Sequence, residues 1–288
     1  MQRLVITAAF IALLHAAASA QPREIEGSIQ DNGGADSLPS SLTELIDYNI
    51  SNNTTDGFSA HKQNYMLPFA YSSNHDGRDG KEIKFQISIK QRLLKFYGWA
   101  FYFGYTQKSF WQAYDFRDSR PFRENNFNPE FLLRTKMWYG IRTDLGFEHE
   151  SNGQTQATSR SWNRIYLTPY FENSRFIAFV KGWYRLEERK SRGAADPGGD
   201  ENPGIQKYYG YGELGLTLKL PELDNIWIST VTRWNPAHMK GSVQADLSIP
   251  LPVNSTKILV QYWEGYGESL IDYNVYQRKI GIGLSFTR

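Results

Sequence analysis

Ile141-Arg142-Thr143-Asp144-Leu145-Gly146-Phe147-Glu148-His149-Glu150-Ser151 is the stretch on which the fold turns. Its odd positions, Ile141, Thr143, Leu145 and Phe147, are apolar or neutral, and its even positions, Arg142, Asp144, Gly146, Glu148 and Glu150, are mostly charged. Successive side chains of a strand point to opposite sides, so this alternation describes a strand with one apolar and one polar face. His149 and Ser151 continue the apolar face at its end. A histidine beside a serine on a hydrophobic wall suits a hydrolase whose substrate is lipid. Such an enzyme needs a nucleophile, a base and a group that orients the base. Asn163 lies in the next strand-like run, where the odd residues Ile165 and Leu167 are again apolar. If residues 152–159 close a hairpin, Asn163 falls nearly opposite His149 and can accept the imidazole Nδ1–H.

The rest of the chain repeats the pattern. Strand-like segments are expected at 63–73, 82–93, 98–114, 127–137, 139–151, 160–172, 174–188, 206–220, 225–235, 240–250, 256–266 and 274–286. Twelve is an even number, as single-chain bacterial barrels require. Connections alternate in length, with short ones near 94–97, 137–139, 172–174, 221–224 and 251–255. Longer polar ones lie near 74–81, 115–126, 152–159, 189–205, 236–239 and 267–273, as expected of external loops. The expected fold is therefore all-β, a 12-stranded antiparallel transmembrane β-barrel with a polar lumen filled by side chains. His149, Ser151 and Asn163 then sit near the outer-leaflet interface.

Composition agrees with a barrel better than with a soluble protein. The mean hydropathy of −0.54 taken alone suggests solubility. Yet Tyr 18, Phe 17 and Trp 8 make up 15% of the 288 residues. Amphipathic strands with aromatic girdles at both interfaces reconcile the two observations. Trp138, Tyr139, Trp227 and Trp263 are expected to be girdle anchors. A soluble sandwich or lipocalin-like barrel is disfavoured because it would bury the apolar faces. Asp144, Glu148 and Glu150 are expected to fill the lumen with Arg142, Arg160 and Arg164, rather than to act as paired carboxylates on a sugar. His61, His75 and His238 are isolated and read as solvated residues.

The first residues resemble a secretory signal, with Arg3 before an apolar stretch and Ala18-Ser19-Ala20 as a cleavage site. The expected organisation is a signal peptide at 1–20, a periplasmic extension at 21–62 and the barrel at 63–288. No stretch of 18 apolar residues follows residue 20, which excludes helical membrane spans. There is no cysteine, so disulfides and thiolate metal sites are excluded. Lys plus Arg is 32 against 30 for Asp plus Glu, a balance that gives no reason to expect nucleic acid.

Separate blocks of the chain resemble the outer membrane phospholipase A family. The first holds His149, Ser151-Asn152-Gly153, Thr158-Ser159-Arg160-Ser161-Trp162-Asn163-Arg164 and Tyr166. Tyr105-Thr106-Gln107-Lys108-Ser109 with Trp111-Gln112 is a second, Pro121-Phe122-Arg123-Glu124 with Pro129 a third, and Gly265 to Asn274 a fourth. The resemblance implies a calcium-dependent enzyme that hydrolyses glycerophospholipid and lysophospholipid acyl esters (phospholipase A1 and A2) in the bacterial outer membrane. It implies Ser151 as nucleophile, His149 as general base, Asn163 as the residue orienting His149, and the Gly153 N–H in the oxyanion hole. Calcium would be held by the Ser159 hydroxyl, the Gln154 carbonyl and Ser119 from a partner subunit. Glu201 would belong to a second calcium site. The resting monomer would dimerise to become active, with Gln107 in the dimer interface as a polar group facing lipid until paired. Gln154 stands where the family commonly has Arg, and Gln156 replaces an expected carboxylate. A non-catalytic or degenerate barrel, either a narrow pore or a structural protein, is the alternative.

Overall fold

The computed structural model describes residues 58–74, 80–155, 158–173, 175–189, 199–223, 225–252 and 256–286. The expected signal peptide, residues 21–57 of the expected extension, His75 and Gln156 lie outside them. The strands are β1 (Phe58–Ala60), β2 (Tyr65–Ser72), β3 (Lys81–Phe96), β4 (Trp99–Trp111), β5 (Phe122–Arg134), β6 (Ile141–Ser151) and β7 (Ser161–Glu172). They continue as β8 (Phe176–Leu186), β9 (Gly212–Leu220), β10 (Ile226–Asn235), β11 (Lys240–Pro250), β12 (Lys257–Gly265) and β13 (Gln277–Ser285). A helical turn, α1 (Gln206–Tyr209), precedes β9. Strands β2 to β13 pair antiparallel in sequence order, and β13 pairs back onto β2, so the twelve close into a barrel. Closure leaves no unpaired edge, the condition for strands to lie in hydrocarbon.

The polarity of the barrel is inverted relative to a soluble protein. Leu145, Phe147, Ile165, Leu167, Ile228, Ile280 and Ile282 are exposed on the outside. The buried interior holds Glu82, Lys84, Glu124, Glu130, Asp144, Glu148, Arg164, Glu268 and Lys279. Apart from Glu124, which accepts from Asn126 and from the Ile271 N–H, these charges are in ion pairs, which offsets the cost of burying them. Lys84 contacts Glu268 at 2.9 Å, Arg123 contacts Asp272 at 2.6 Å, and Lys279 pairs with both Glu82 and Glu268. Arg134 and Asp144 form a two-pronged pair at 2.9 and 2.8 Å. The expected side-chain-filled lumen is thus observed.

Several elements differ from the sequence reading. Residues 115–126 were expected in a loop, but β5 begins at Phe122. Glu124 and Asn126 make this polar run compatible with a strand because both face the lumen, where Asn126 Nδ2 donates to Glu124 Oε1 at 2.7 Å. Residues 206–209 were expected in a strand and form α1 instead. Here packing decides: Tyr209 is buried edge-on against Trp162, with ring centroids 5.1 Å apart. Trp227 and Trp263 are not girdle anchors but point inward, where Lys257 Nζ lies 3.9 Å from the centroid of the Trp227 ring and Arg233 5.3 Å from that of Trp263. Trp138 and Tyr139 are exposed at the short-turn end, as expected. His61 is not solvated either. Its side chain is largely covered, with Nε2 2.7 Å from Glu130 Oε1, because β1 continues the line of β2 along β3 and draws His61 and Lys62 into the lumen. The end of the expected extension therefore belongs to the barrel wall.

Candidate active site

Strands β6 and β7 place the candidate residues. Their register sets Leu145 opposite Leu167, Phe147 opposite Ile165, His149 opposite Asn163, and Ser151 opposite Ser161. The outward face is therefore apolar for two rows and polar for the next two. His149 Nδ1 lies 2.9 Å from Asn163 Oδ1. A carbonyl oxygen can only accept, so this contact places the proton on Nδ1 and turns the Nε2 lone pair outward. Ser151 shares the face with His149, two positions along the strand, about 6.6–6.8 Å from it. No hydrogen bond joins Ser151 to His149 among the described residues; strand geometry alone brings the two near each other.

The inward side chains of the same strands hold this face rigid. Glu148 is buried between Lys181 at 2.9 Å and Arg164 at 3.1 Å. Glu150 accepts from Trp162 Nε1 at 3.0 Å and from Arg164 at 2.8 Å. Gly146 leaves the space into which Tyr166 packs, since a Cβ there would meet the Tyr166 ring at 2.3 Å. The Tyr166 hydroxyl thereby reaches Glu130 at 2.5 Å. Backbone on either side of His149 is thus tied to neighbouring strands through side chains as well as the ladder.

The hairpin loop beyond Ser151 is organised by a residue to which the sequence reading gave no role. Asn152 is buried, and its Oδ1 accepts the Arg160 N–H at 2.9 Å and the Gln154 N–H at 3.3 Å. Its Nδ2 donates to the Thr158 carbonyl at 2.8 Å. Its place in a polar loop next to a glycine was the available signal. Gly153 has φ +62°, and a Cβ there would sit 3.0 Å from the Phe127 ring, so both backbone and space favour glycine.

The remaining candidates are spread over the loop end. Gln154 is exposed and Ser159 half-buried, both in the 152–160 hairpin loop. Ser119 is exposed in the loop between β4 and β5, with φ +59°. Glu201 accepts from Ser161 Oγ at 3.2 Å, which brings its carboxylate to the row of Ser151. Gln107 lies on the outward face of β4, where it accepts from the Tyr105 hydroxyl at 3.1 Å and donates to Ser109 Oγ at 3.0 Å. Its amide is therefore paired within its own strand. No group of three or more His, Asp or Glu side chains is arranged to hold a metal among the described residues. Glu188, which the sequence reading passed over, accepts from Asn163 Nδ2 at 3.4 Å.

Comparison with known proteins places this geometry in context. A family model described as Phospholipase A1 matches residues 44–286. Phospholipase A1 of Escherichia coli K12 is 35% identical over 217 residues, 70% of this chain and 68% of the relative. A Neisseria meningitidis serogroup B protein assigned provisionally as a phospholipase A1 is 35% identical over 260 residues. That match takes in 80% of this chain but 65% of the relative's length, slightly under two thirds. The crystal structure of the Salmonella typhi outer membrane phospholipase dimer with bound calcium superposes with a TM-score of 0.74 at 30% identity, covering 85% of this chain and 98% of that one. Outer membrane phospholipase A from Escherichia coli gives 0.73 at 29% identity, covering 86% and 98%.

Proposed function

Since the chain belongs to the phospholipase A1 family, we propose that it hydrolyses acyl esters of glycerophospholipids, including lysophospholipids, within the outer leaflet of a bacterial outer membrane. The observation that carries the reading is the His149–Asn163 contact beside Ser151 on the outward face, at the end of an apolar stripe. A catalytic group there meets lipid without removing it from the bilayer.

In this reading His149 Nε2 takes the proton from Ser151 as the hydroxyl attacks the ester carbonyl. Asn163 holds the ring in the tautomer that leaves Nε2 free. The Gly153 N–H, presented by its left-handed backbone, donates to the developing oxyanion. The lysophospholipid (or, from a lysophospholipid, the deacylated headgroup) leaves with the proton from His149, and water activated by the same base releases the fatty acid.

Calcium suits the oxygens of the hairpin loop. Asn152 Oδ1 occupies two of the loop's N–H groups, and Gln154 is exposed and Ser159 half-buried in the same loop. Hydroxyl and carbonyl oxygens are hard donors of the kind calcium takes. Gln154 and Ser159, with Ser119 of the partner subunit, would hold the ion, and Glu201 would hold a second. A bound cation supplies positive charge next to the oxyanion. Few protein ligands in one subunit imply a weak site completed by dimerisation, with Gln107 exchanging its partners within the strand for ones across the interface. The ion-paired lumen argues against the alternative of a pore.

The test is fatty-acid release from mixed phospholipid–detergent micelles, with calcium and with EDTA. Release that needs calcium and is lost in Ser151→Ala supports the reading. Full activity in Ser151→Ala would overturn the nucleophile assignment.

A further inference from the structure

Asn163 has two ends, and the structure gives each a partner. Its Oδ1 lies 2.9 Å from His149 Nδ1, and its Nδ2 donates to Glu188 Oε1 at 3.4 Å. Glu188 comes from the opposite side of β7. Asn163 pairs with His149 on β6 and with Leu186 on β8, and the chain continues from Leu186 to place Glu188 over the Asn163 amide. An amide can be turned over with little change in shape, and an Asn that presents its NH2 group to His149 could not fix the required tautomer. A carboxylate only accepts. Glu188 therefore distinguishes the two orientations and selects the one with Oδ1 toward the ring.

We infer that Glu188 is a positioning residue for ester hydrolysis, acting through Asn163 to orient His149. This rests on the Ser151, His149 and Asn163 assignment above. The carboxylate also supplies, at one remove, the negative charge that the neutral Asn163 lacks. Other charged groups around Glu188 are Arg185, Asp200, Glu201 and His149. Asp200 is engaged by Arg185 at 2.6 Å and Glu201 accepts from Ser161, while the Asn163 amide donates to Glu188. Burial pushes the Glu188 carboxyl up, assisted by Asp200 and Glu201 and opposed by Arg185 and His149. The length of the contact fits a bond that tightens when the imidazole becomes charged.

The experiment compares wild type, Glu188→Ala, Glu188→Gln, Asn163→Ala, Asn163→Ala with Glu188→Ala, and Ser151→Ala. Calcium-saturated mixed micelles serve as substrate, and each barrel's folding is verified by its gel mobility before and after boiling. Glu188→Ala lowers kcat about tenfold with KM within about twofold, as for loss of one hydrogen bond to a charged acceptor. In the Asn163→Ala background the same change has less than about a twofold effect, because its route to His149 is gone. Glu188→Gln retains an acceptor for the Asn163 amide, so its kcat lies between those of wild type and Glu188→Ala. Wild-type kcat in Glu188→Ala, or an equal loss with and without Asn163, overturns the inference while the triad stands. Activity retained in Ser151→Ala overturns the underlying reading as well.

Discussion

Gly153 combines positive φ with contact against Phe127, and these have separate costs. Gly153→Ala would tilt the N–H proposed to bind the oxyanion and press a methyl on the ring. A misdirected oxyanion donor costs about 100-fold in kcat, and a left-handed alanine about 1–2 kcal/mol locally. We expect a kcat loss of that order with the barrel's melting temperature little changed, measured by micelle assay and thermal denaturation. Asn163→Ala should be milder than Ser151→Ala, because an orienting group does not react. About a hundredfold reduction is expected, against about 10⁴-fold or more for the serine. The reverse order in initial-rate assays would exchange their roles. His149 and Ser151 were legible as residues because polar side chains continue an apolar face. Glu188 was not, since its relation to Asn163 runs across β8 and depends on where a loop leaves the sheet.

At the scale of the element, the β6–β7 hairpin could be read almost in full. Alternation set the faces, and the loop length set Asn163 opposite His149. The sequence gave less warning where a polar side chain does structural work in a loop. Asn152 holds one carbonyl and two N–H groups of the 152–160 segment. Asn152→Ala removes all three contacts while leaving Ser151 and His149 in their strand. If the proposed calcium dependence holds, the half-saturating calcium concentration for activity should rise about tenfold or more, with smaller effect on kcat at saturating calcium. A calcium titration of fatty-acid release would show this, and an unchanged midpoint would separate the loop from the ion. Helix α1 and the inward Trp227 and Trp263 were misread for a related reason. Aromatic residues satisfy a strand pattern, a girdle and a cation platform equally well, and only tertiary packing chooses.

Over the whole molecule, the charges inside are held by ion pairs that cross between strands. The polar lumen followed from the alternation of several strands, but the pairings did not, because they join strands far apart in sequence. Glu268, in the loop between β12 and β13, contacts Lys84 of β3 and Lys279 of β13. Burial pushes its carboxyl up, but Lys279 and Lys84 outweigh burial and hold it well below the usual carboxylate range. A depressed carboxyl contributes stability above its unfolded pKa of about 4.3 and loses it as pH falls toward the folded value. The melting temperature of the barrel in detergent should therefore drop as pH is lowered below about 4. Glu268→Gln should melt lower at neutral pH, since removing one partner of a buried pair costs about 3–5 kcal/mol, and should show a shallower acid decline. An unchanged melting profile would mean that these charges are solvated.

In the proposed reaction, the outward position of the His149–Asn163 pair changes the variable that governs turnover. A group on the outside of a wall in a bilayer encounters molecules diffusing in a plane, so the relevant concentration is the mole fraction of lipid in that film. Molarity in the surrounding water drops out once the film is formed. Adding an inert detergent that thins the lipid within each micelle would slow the reaction at fixed total lipid. Adding more micelles of unchanged composition would not accelerate it once all the protein resides in them.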